Sequence, residues 1–356
     1  MKKICFVISS LSGGGAEKVV LTLAEVLSEM GNEIHIILVK NKIEYEINLN
    51  HYKIHSLSKT GRLSNIRQFN QFLLTYKLKN LIKKEEIKQK FDLVISNLVD
   101  ADKLCSKLSH ENLYFCIHSD QSVILRKKSF FKRLRTVKRY KNKNIITVSE
   151  GIKNNFLNIL NIKPKSIQTI YNPFNIKNII NLSTLYKIEK NDSFIIHVGR
   201  FMSVKRHDIL LKAYKKSNIQ EKLVLLGDGE KRKEIVRLIK ELKLENKVIL
   251  KGFVRNPYPY IKESKLLILS SDYEGFGNVL AEALILNTMI ISTNCPSGPQ
   301  EILIDELTQF LSPVGDIDLL SENIKKAINN PIEITEKYTQ KFESKVIATQ
   351  YMKLCK

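Results

Sequence analysis

The stretch "KLLILSSDYEGFGNVLAEALIL", residues 265–286, changes period in its middle. Its first part, "KLLILSS" (265–271), is a short apolar run of the kind that forms a strand covered on both faces. Its last part, "NVLAEALIL" (278–286), reads as a helix. Between them "DYEGFG" supplies Gly275 and Gly277, which let a turn fold tightly and aim backbone N–H groups outward. A buried strand passing through a tight turn into a helix is half of a βαβ unit. Repeated units of that kind build a parallel sheet flanked by helices.

The same rhythm runs outward in both directions. Upstream, strands are expected at 2–9, 33–39, 92–97, 113–119 and 144–150, with a helix over 13–31 whose apolar residues Val19, Val20, Leu23, Val26 and Leu27 share one face. Gly31 is a natural stop for it. The Asn-Pro pair in "IYNPFN" (170–175) breaks the pattern, and a polar stretch, 175–192, follows. The pattern restarts with strands at 193–200, 222–227, 247–253, 265–271 and 289–294, and helices at 206–216, 230–243 and about 278–286. Two doubly wound α/β domains follow from this: residues 1–171, a linker at 172–190, and residues 191–336. A final helix, about 337–355, comes after the second sheet is complete. A length of 356 residues suits two cores better than one.

Composition narrows the class. The chain is 43% hydrophobic and 26% charged, as soluble globular proteins are, and no apolar run approaches the ~20 residues of a membrane-spanning helix. "MKKICFVISSL" is read as a first buried strand, not a signal peptide, because it shows no small-residue cleavage site and a helix follows its glycines. Cys5, Cys105, Cys116, Cys295 and Cys355 are scattered and form no C-x-x-C, which fits a reducing cytoplasm without disulfides or zinc. Lys and Arg exceed Asp and Glu by 58 to 36, a net charge of +22. That balance suits an anionic partner (nucleic acid, anionic lipid or a phosphorylated substrate), and a compositional bias toward Lys, Ile and Asn accounts for part of it.

Ligands of open parallel sheets bind at the C-terminal strand ends, and the informative residues sit in such turns. "SSLSGGGAEK" (9–18) follows the first strand and opens the first helix; its glycines permit close backbone approach to an anion, or simply a tight turn. "HVGRFMSVK" (197–205) places Arg200 and Lys205 just past the first strand of the second domain, where a fork and a point charge can clamp a diphosphate. His118, in "FCIHSD", ends a strand of the first domain. Glu274 lies in the turn and Glu282 in the helix after it. Ionised carboxylates only accept hydrogen bonds, so an acid in the turn can hold sugar hydroxyls and one further along a ribose diol. If both faced solvent, their spacing would carry no meaning.

Taken in order, these motifs resemble glycosyltransferase family 4, the retaining enzymes of the GT-B fold. The resemblance rests on E-G-F-G-x-x-x-x-E at Glu274–Glu282, V-G-R-x-x-x-x-K at Val198–Lys205, "GDGE" (227–230), "KGF" (251–253), "SSLSGGGAEKVV" (9–20) and "YNPFN" (171–175). "NCPSGPQEIL" (294–303) is like a block of members that build bacterial surface and protein-linked glycans. The resemblance spans nearly the whole chain. It implies two Rossmann-like domains facing a cleft, the N-terminal one on the acceptor side and the C-terminal one binding the nucleotide-sugar, with the last helix returning to the N-terminal domain. Arg200 and Lys205 would neutralise the donor diphosphate. Glu274 would contact donor-sugar hydroxyls, and Glu282 the ribose. The backbone of Phe276, Gly277, Asn278, Val279 and Leu280 would bind phosphate and sugar. Gly14 and Gly15 would approach phosphates or acceptor, His118 the sugar near its 6-position, and Val254 and Arg255 the base. Family members react with retention, by front-side attack without an assigned nucleophile, and need no metal or other cofactor; no D-x-D is read as arguing for a metal. Where the family often carries His-Asp, this chain has His118–Ser119.

"LRKKSFFKRLRTVKRYKNKN" (125–144) carries ten basic residues (Arg126, Lys127, Lys128, Lys132, Arg133, Arg135, Lys138, Arg139, Lys141 and Lys143) and no acid. Phe130, Phe131, Leu134, Val137 and Tyr140 interleave at roughly helical spacing. Such a helix docks on anionic membrane, or packs on the sheet with a solvated basic back. The expectation is a retaining, metal-independent glycosyltransferase, peripheral on the inner face of the cytoplasmic membrane. It would move a hexose or N-acetylhexosamine from a UDP-sugar to a lipid-linked, lipopolysaccharide or capsule-type glycan. The competing readings are a nucleic-acid-binding protein, for which no recognisable module appears, and a non-catalytic sugar-nucleotide binder. A nicotinamide-dependent oxidoreductase lacks its glycine fingerprint.

Overall fold

A computed structural model describes residues 1–45, 47, 49–58, 68–126, 128–188 and 193–355, with the side chains of Gln68 and Phe69 excepted. Lys127 of the basic segment and residues 189–190 of the expected linker lie outside the described residues. Among the described residues the chain forms two all-parallel sheets. The first comprises β1 (Lys3–Ile8), β2 (Glu33–Leu38), β3 (Lys53–Ser56), β4 (Leu93–Asn97), β5 (Leu113–Ile117), β6 (Asn144–Thr147) and β7 (Ser166–Thr169), in the order β3-β2-β1-β4-β5-β6-β7. The second comprises β8 (Phe194–Val198), β9 (Lys222–Leu226), β10 (Val248–Gly252), β11 (Leu266–Leu269), β12 (Met289–Thr293) and β13 (Leu311–Ser312), in the order β10-β9-β8-β11-β12-β13.

Every residue of β1, β11 and β12 is buried, because helices cover both faces of a parallel sheet. Each sheet winds outward from its first strand, then returns to that strand's other side. The direction reverses between β1 and β4 in one sheet and between β8 and β11 in the other. At such a reversal the turns after neighbouring strands part to opposite faces and leave a crevice at the C-terminal strand ends.

The chain divides into two compact units, Met1–Phe174 with the segment from Ser344, and Asn175–Glu343. Helix Ser344–Met352 packs against helix Gly15–Glu29 of the N-terminal unit. Tyr351 is buried there with its hydroxyl 3.7 Å from Cys116 Sγ, and Asn112 Nδ2 donates to the Leu354 carbonyl at 2.7 Å.

Several elements differ from the sequence reading. The last helix starts at Ser344, not near 337. Residues before it form tight turns at Glu336–Tyr338 and Gln340–Phe342, which belong to the C-terminal unit. Tyr338 donates to Glu306 at 2.7 Å and Phe342 stacks edge-on against Phe276 at 5.2 Å, so tertiary contacts interrupt the helical pattern. The polar stretch 175–192 holds a helix, Ile176–Leu182, capped by the Asn175 side chain and anchored by buried Ile179. Strands β3, β7 and β13 were not anticipated: the first two are four residues long and half exposed, and the last has two residues.

Candidate functional site

In the C-terminal unit, the turns after β8 and β11 flank the reversal and are stitched together. Asp272 N donates to the Val204 carbonyl at 2.8 Å, and Ser270 Oγ to the Lys205 carbonyl at 2.8 Å. Arg206 forks onto Asp208 at 2.9 and 3.0 Å and reaches Asp272 at 2.8 Å. Its φ of +47° is the left-handed conformation that aims it across the gap. Within this frame Lys205 Nζ sits 2.7 Å from Glu274 Oε1, which also accepts from Ser271 Oγ at 2.6 Å. Both charged side chains are mostly covered, at 19% and 13% exposure. Arg200, at the start of the turn after β8, is exposed and makes no ion pair among the described residues.

Glu282 is 7% exposed on helix Asn278–Ile285, where it accepts from Tyr258 Oη at 3.2 Å. Tyr258 begins the helix Tyr258–Glu263, directly after the turn carrying Val254, partly exposed, and Arg255, exposed. The acid expected to hold ribose is thus tied to the segment expected to lie near the base. Phe276 and Leu280 are buried, so what they offer a ligand is backbone, not side chain. Gly277 precedes the helix at φ +91°, followed by Asn278 and Val279, both partly exposed. Gly298 presses on this turn from "NCPSGPQ": a Cβ there would lie 1.9 Å from the Phe276 carbonyl oxygen, at a φ of +97°. The segment can approach so closely only as glycine.

Beneath Lys205 lie two histidines that the sequence reading passed over. His197 Nδ1 donates to the Ile268 carbonyl at 2.9 Å, leaving Nε2 as an acceptor. That Nε2, and Nε2 of His207 stacked edge-on at 4.7 Å, are buried without a hydrogen-bond partner among the described residues. Burial pulls His197 down to about 4 and His207 to about 2, with the Lys205 charge adding to both, so both rings are neutral. Their signal in sequence was position alone: His197 is the penultimate residue of β8, two before Gly199.

The N-terminal unit mixes charged and neutral contacts at its strand ends, where Asp100 pairs with Lys40 at 3.2 Å. His118, after β5, is partly exposed, and its Nε2 lies 2.9 Å from Asn97 Oδ1. Asn97 Nδ2 donates to the Ile95 carbonyl at 3.2 Å, which sets the amide so that His118 Nε2–H donates to Oδ1. Burial lowers this imidazole to about 4. The neighbouring acid is Asp120, one position later than the family pattern. It binds Ser122 N at 2.8 Å and Asn155 Nδ2 at 2.7 Å, and so caps a helix start. Gly14 caps helix Gly15–Glu29, and exposed Gly15 is its first residue. A Cβ on Gly14 would lie 2.2 Å from Glu17 Oε2, so the helix's own third residue folds its carboxylate back over the turn. Gly14 therefore lies against the Glu17 carboxylate.

The basic stretch forms helix Phe130–Tyr140. Tyr140 is buried and donates to Asp102 Oδ2 at 2.7 Å. Phe130, Phe131 and Leu134 are 69%, 71% and 47% exposed, so the helix is anchored by its end and shows aromatics among its cations.

Two family profiles match the chain in series: "Glycosyltransferase Family 4" over residues 13–178 and "Glycosyl transferases group 1" over residues 182–345. A Campylobacter jejuni protein, N-acetylgalactosamine-N,N'-diacetylbacillosaminyl-diphospho-undecaprenol 4-alpha-N-acetylgalactosaminyltransferase, is 31% identical over 364 residues, covering 100% of this chain and 98% of that one. A second C. jejuni protein, GalNAc-alpha-(1->4)-GalNAc-alpha-(1->3)-diNAcBac-PP-undecaprenol alpha-1,4-N-acetyl-D-galactosaminyltransferase, is 26% identical, over 93% of this chain and 90% of its own. The crystal structure of Anabaena HepE in complex with UDP and glucose superposes with a TM-score of 0.82 at 20% identity, over 99% of both chains. Two doubly wound units with these matches define a GT-B glycosyltransferase. The chain belongs to glycosyltransferase family 4.

Proposed function

We propose that the chain moves a hexose or N-acetylhexosamine from a UDP-sugar to a lipid-linked or lipopolysaccharide/capsule-type glycan, with retention at the anomeric carbon. The observation that carries this reading is the Lys205–Glu274 pair, 2.7 Å apart at the strand reversal of the C-terminal unit. A diphosphate competes with Glu274 for Lys205. Once the ammonium turns to phosphate, Glu274 is released to accept from sugar hydroxyls, so donor binding arms both residues together. As the bond from the anomeric carbon to the β-phosphate oxygen breaks, negative charge grows on the leaving UDP, and Lys205 and Arg200 stabilise it. The acceptor oxygen bonds the same face, and its proton passes to the departing phosphate. Two cations supply the charge that a divalent ion would otherwise bring, so the transfer step needs no added metal. Glu282, steadied by Tyr258, takes the ribose, the backbone of Phe276–Leu280 lines the phosphates, and the neutral His118 serves the sugar.

The acceptor side rests on the two C. jejuni relatives, whose names place their acceptors on undecaprenyl diphosphate, and on helix Phe130–Tyr140. Among the described residues no helix is long and apolar enough to cross a membrane. Exposed phenylalanines amid cations suit shallow seating on anionic lipid, about 1 kcal/mol per basic residue near the surface, which supports the proposed seat on the inner face of the cytoplasmic membrane.

Thermal unfolding against UDP, GDP, ADP, CMP and NAD tests the donor reading. A ligand specific for the folded state adds about 2.7 kcal/mol at a hundred times its Kd. A shift with UDP alone, absent in Glu282→Ala, is expected and leads to UDP-sugars with lipid-linked acceptors. A shift with GDP or ADP instead overturns the uridine assignment, and none at all overturns the donor site.

A further inference from the structure

The outer edge of the N-terminal sheet gathers a second cluster of chemistry, away from the turns at the strand ends. Glu33 and His35 of β2 and Lys53 and His55 of β3 share one face, since His35 pairs with Lys53 and Ile37 with His55. Glu85, the last residue of helix Gln68–Glu85, reaches the same face. His35 is fully buried, and its Nε2 lies 2.9 Å from Glu33 Oε1, which also accepts from Lys53 Nζ at 2.7 Å. A carboxylate ion-paired to lysine only accepts, so Nε2 carries the ring proton and Nδ1 presents a lone pair. That lone pair looks at His55 Nε2, 3.1 Å away, and at Glu85 Oε2, 3.7 Å away. Lys3, the nearby cation, spends its ammonium on the Glu85 and Gln89 carbonyls.

We infer that His35 Nδ1, His55 Nε2 and Glu85 Oε2 form a site for a divalent transition ion of the zinc class. Three donors converge within 4.8 Å of one another: without an ion, His55 Nε2–H donates to His35 Nδ1 at 3.1 Å, and Glu85 Oε2, 3.7 Å from Nδ1, receives no proton from it. A cation placed among them resolves that. Zinc–nitrogen bonds of ~2.0–2.1 Å give tetrahedral edges of about 3.3 Å, close to the 3.1 and 3.7 Å separations found. The Glu33–His35 hydrogen bond is the outer support that fixes ring tautomer in such sites. Three protein donors leave one vertex for water. The ion would tie edge strand β3, its neighbour β2 and the end of helix Gln68–Glu85 to one point, a structural clasp separate from the transfer step.

Metal-free full-length protein without an affinity tag is titrated with Co2+, then Zn2+, while visible absorption and thermal unfolding are followed. One equivalent of Co2+ giving tetrahedral d–d bands, displaced by Zn2+, with Zn2+ raising Tm, is the expected result. His55→Ala and Glu85→Gln each weaken binding at least tenfold, and Glu33→Gln by about tenfold to a hundredfold. These positions are partly exposed, so the variants avoid the folding cost of replacing buried His35. UDP binding stays at the wild-type value in all three, which separates this outcome from that of the donor site. A wild-type protein with no stoichiometric tetrahedral spectrum, or a His55→Ala/Glu85→Gln double variant that binds as tightly as wild type, overturns the site.

Discussion

The two sheets reverse direction in the same way, yet the residues at the two reversals are built on different principles. In the C-terminal unit the turns carry full charges in contact: Lys205 on Glu274, and Arg206 on both Asp208 and Asp272. In the N-terminal unit Asp100, just after β4, also pairs with Lys40 and Lys103, but beside it Asn97 and His118 form a neutral pair across the ends of β4 and β5, and the glycine turn after β1 is covered by Glu17. A set of fixed, mutually neutralised charges suits a diphosphate that arrives and leaves with its own charge. A neutral hydrogen-bonding pair suits hydroxyls. One topology thus serves two chemistries through a handful of side chains.

The largest expected break in that contrast is Lys205→Ala. Removing one group that stabilises developing charge typically costs 10²- to 10³-fold in turnover, and kcat should fall in that range with UDP-sugar. Glu274→Ala should likewise lower kcat more than UDP affinity, whereas His118→Ala should leave UDP affinity unchanged. Steady-state kinetics with parallel UDP titration checks all three. If both C-terminal variants transfer at wild-type rates, the charged reversal is not the donor end.

Next comes Gly298→Ala, which drives a Cβ into the Phe276 carbonyl. Strained left-handed backbone alone costs about 1–3 kcal/mol, and the clash adds to it. The C-terminal unit should unfold earlier in denaturant, while Gly31→Ala, at a φ of +83° with open space around it, costs only the strain.

Asp102 sharpens the contrast inside the N-terminal unit. Burial raises its carboxyl to about 6 despite donors Ser96 and Tyr140 at 2.6 and 2.7 Å. Because the folded value lies above the unfolded one near 3.9, folding favours the protonated acid. The stability it contributes is complete below about pH 4 and is lost as pH rises through about 6. Two units correspond to at most about 3 kcal/mol. Asp102→Asn, a neutral isostere that, like the protonated acid, accepts from one of the two hydroxyls and donates to the other, should therefore gain stability over wild type at pH 7.5 and lose that advantage at pH 4, as read by urea melts at the two pH values.

The smallest effect is expected at the surface. Lys132→Glu with Lys138→Glu should weaken sedimentation with anionic vesicles about tenfold or more and leave transfer to a detergent-soluble acceptor unchanged. Equal sedimentation would leave helix Phe130–Tyr140 as a solvated basic face.

What was legible in the sequence follows from burial. Strands such as "LLIL" (266–269) are covered on both faces and announce themselves as apolar runs, and the turns after them place Glu274 and Lys205 without further help. The short edge strands β3 and β7 pack on one side only, so their composition is mixed and their signal faint. Helix Ile176–Leu182 hid among asparagines and lysines because one buried residue, Ile179, anchors it. Partners separated in sequence were illegible for a different reason: Tyr258 for Glu282, Arg206 for Asp272 and Glu17 over Gly14 depend on rotamers and on which turns become neighbours. The same holds for His35, His55 and Glu85, which no spacing rule connects.

The return of helix Ser344–Met352 to the N-terminal unit has a consequence for biosynthesis. Residues 175–343 are contiguous and can fold as soon as they clear the ribosome. The N-terminal unit, although translated first, lacks its closing piece until about 170 further residues have been made. At 5–20 residues per second that wait is of the order of ten to thirty seconds. During it, the apolar face of helix Gly15–Glu29 that Tyr351 and its neighbours cover stays open to chaperones. A chain released before residue 344 should hold a finished C-terminal unit beside an unfinished N-terminal one.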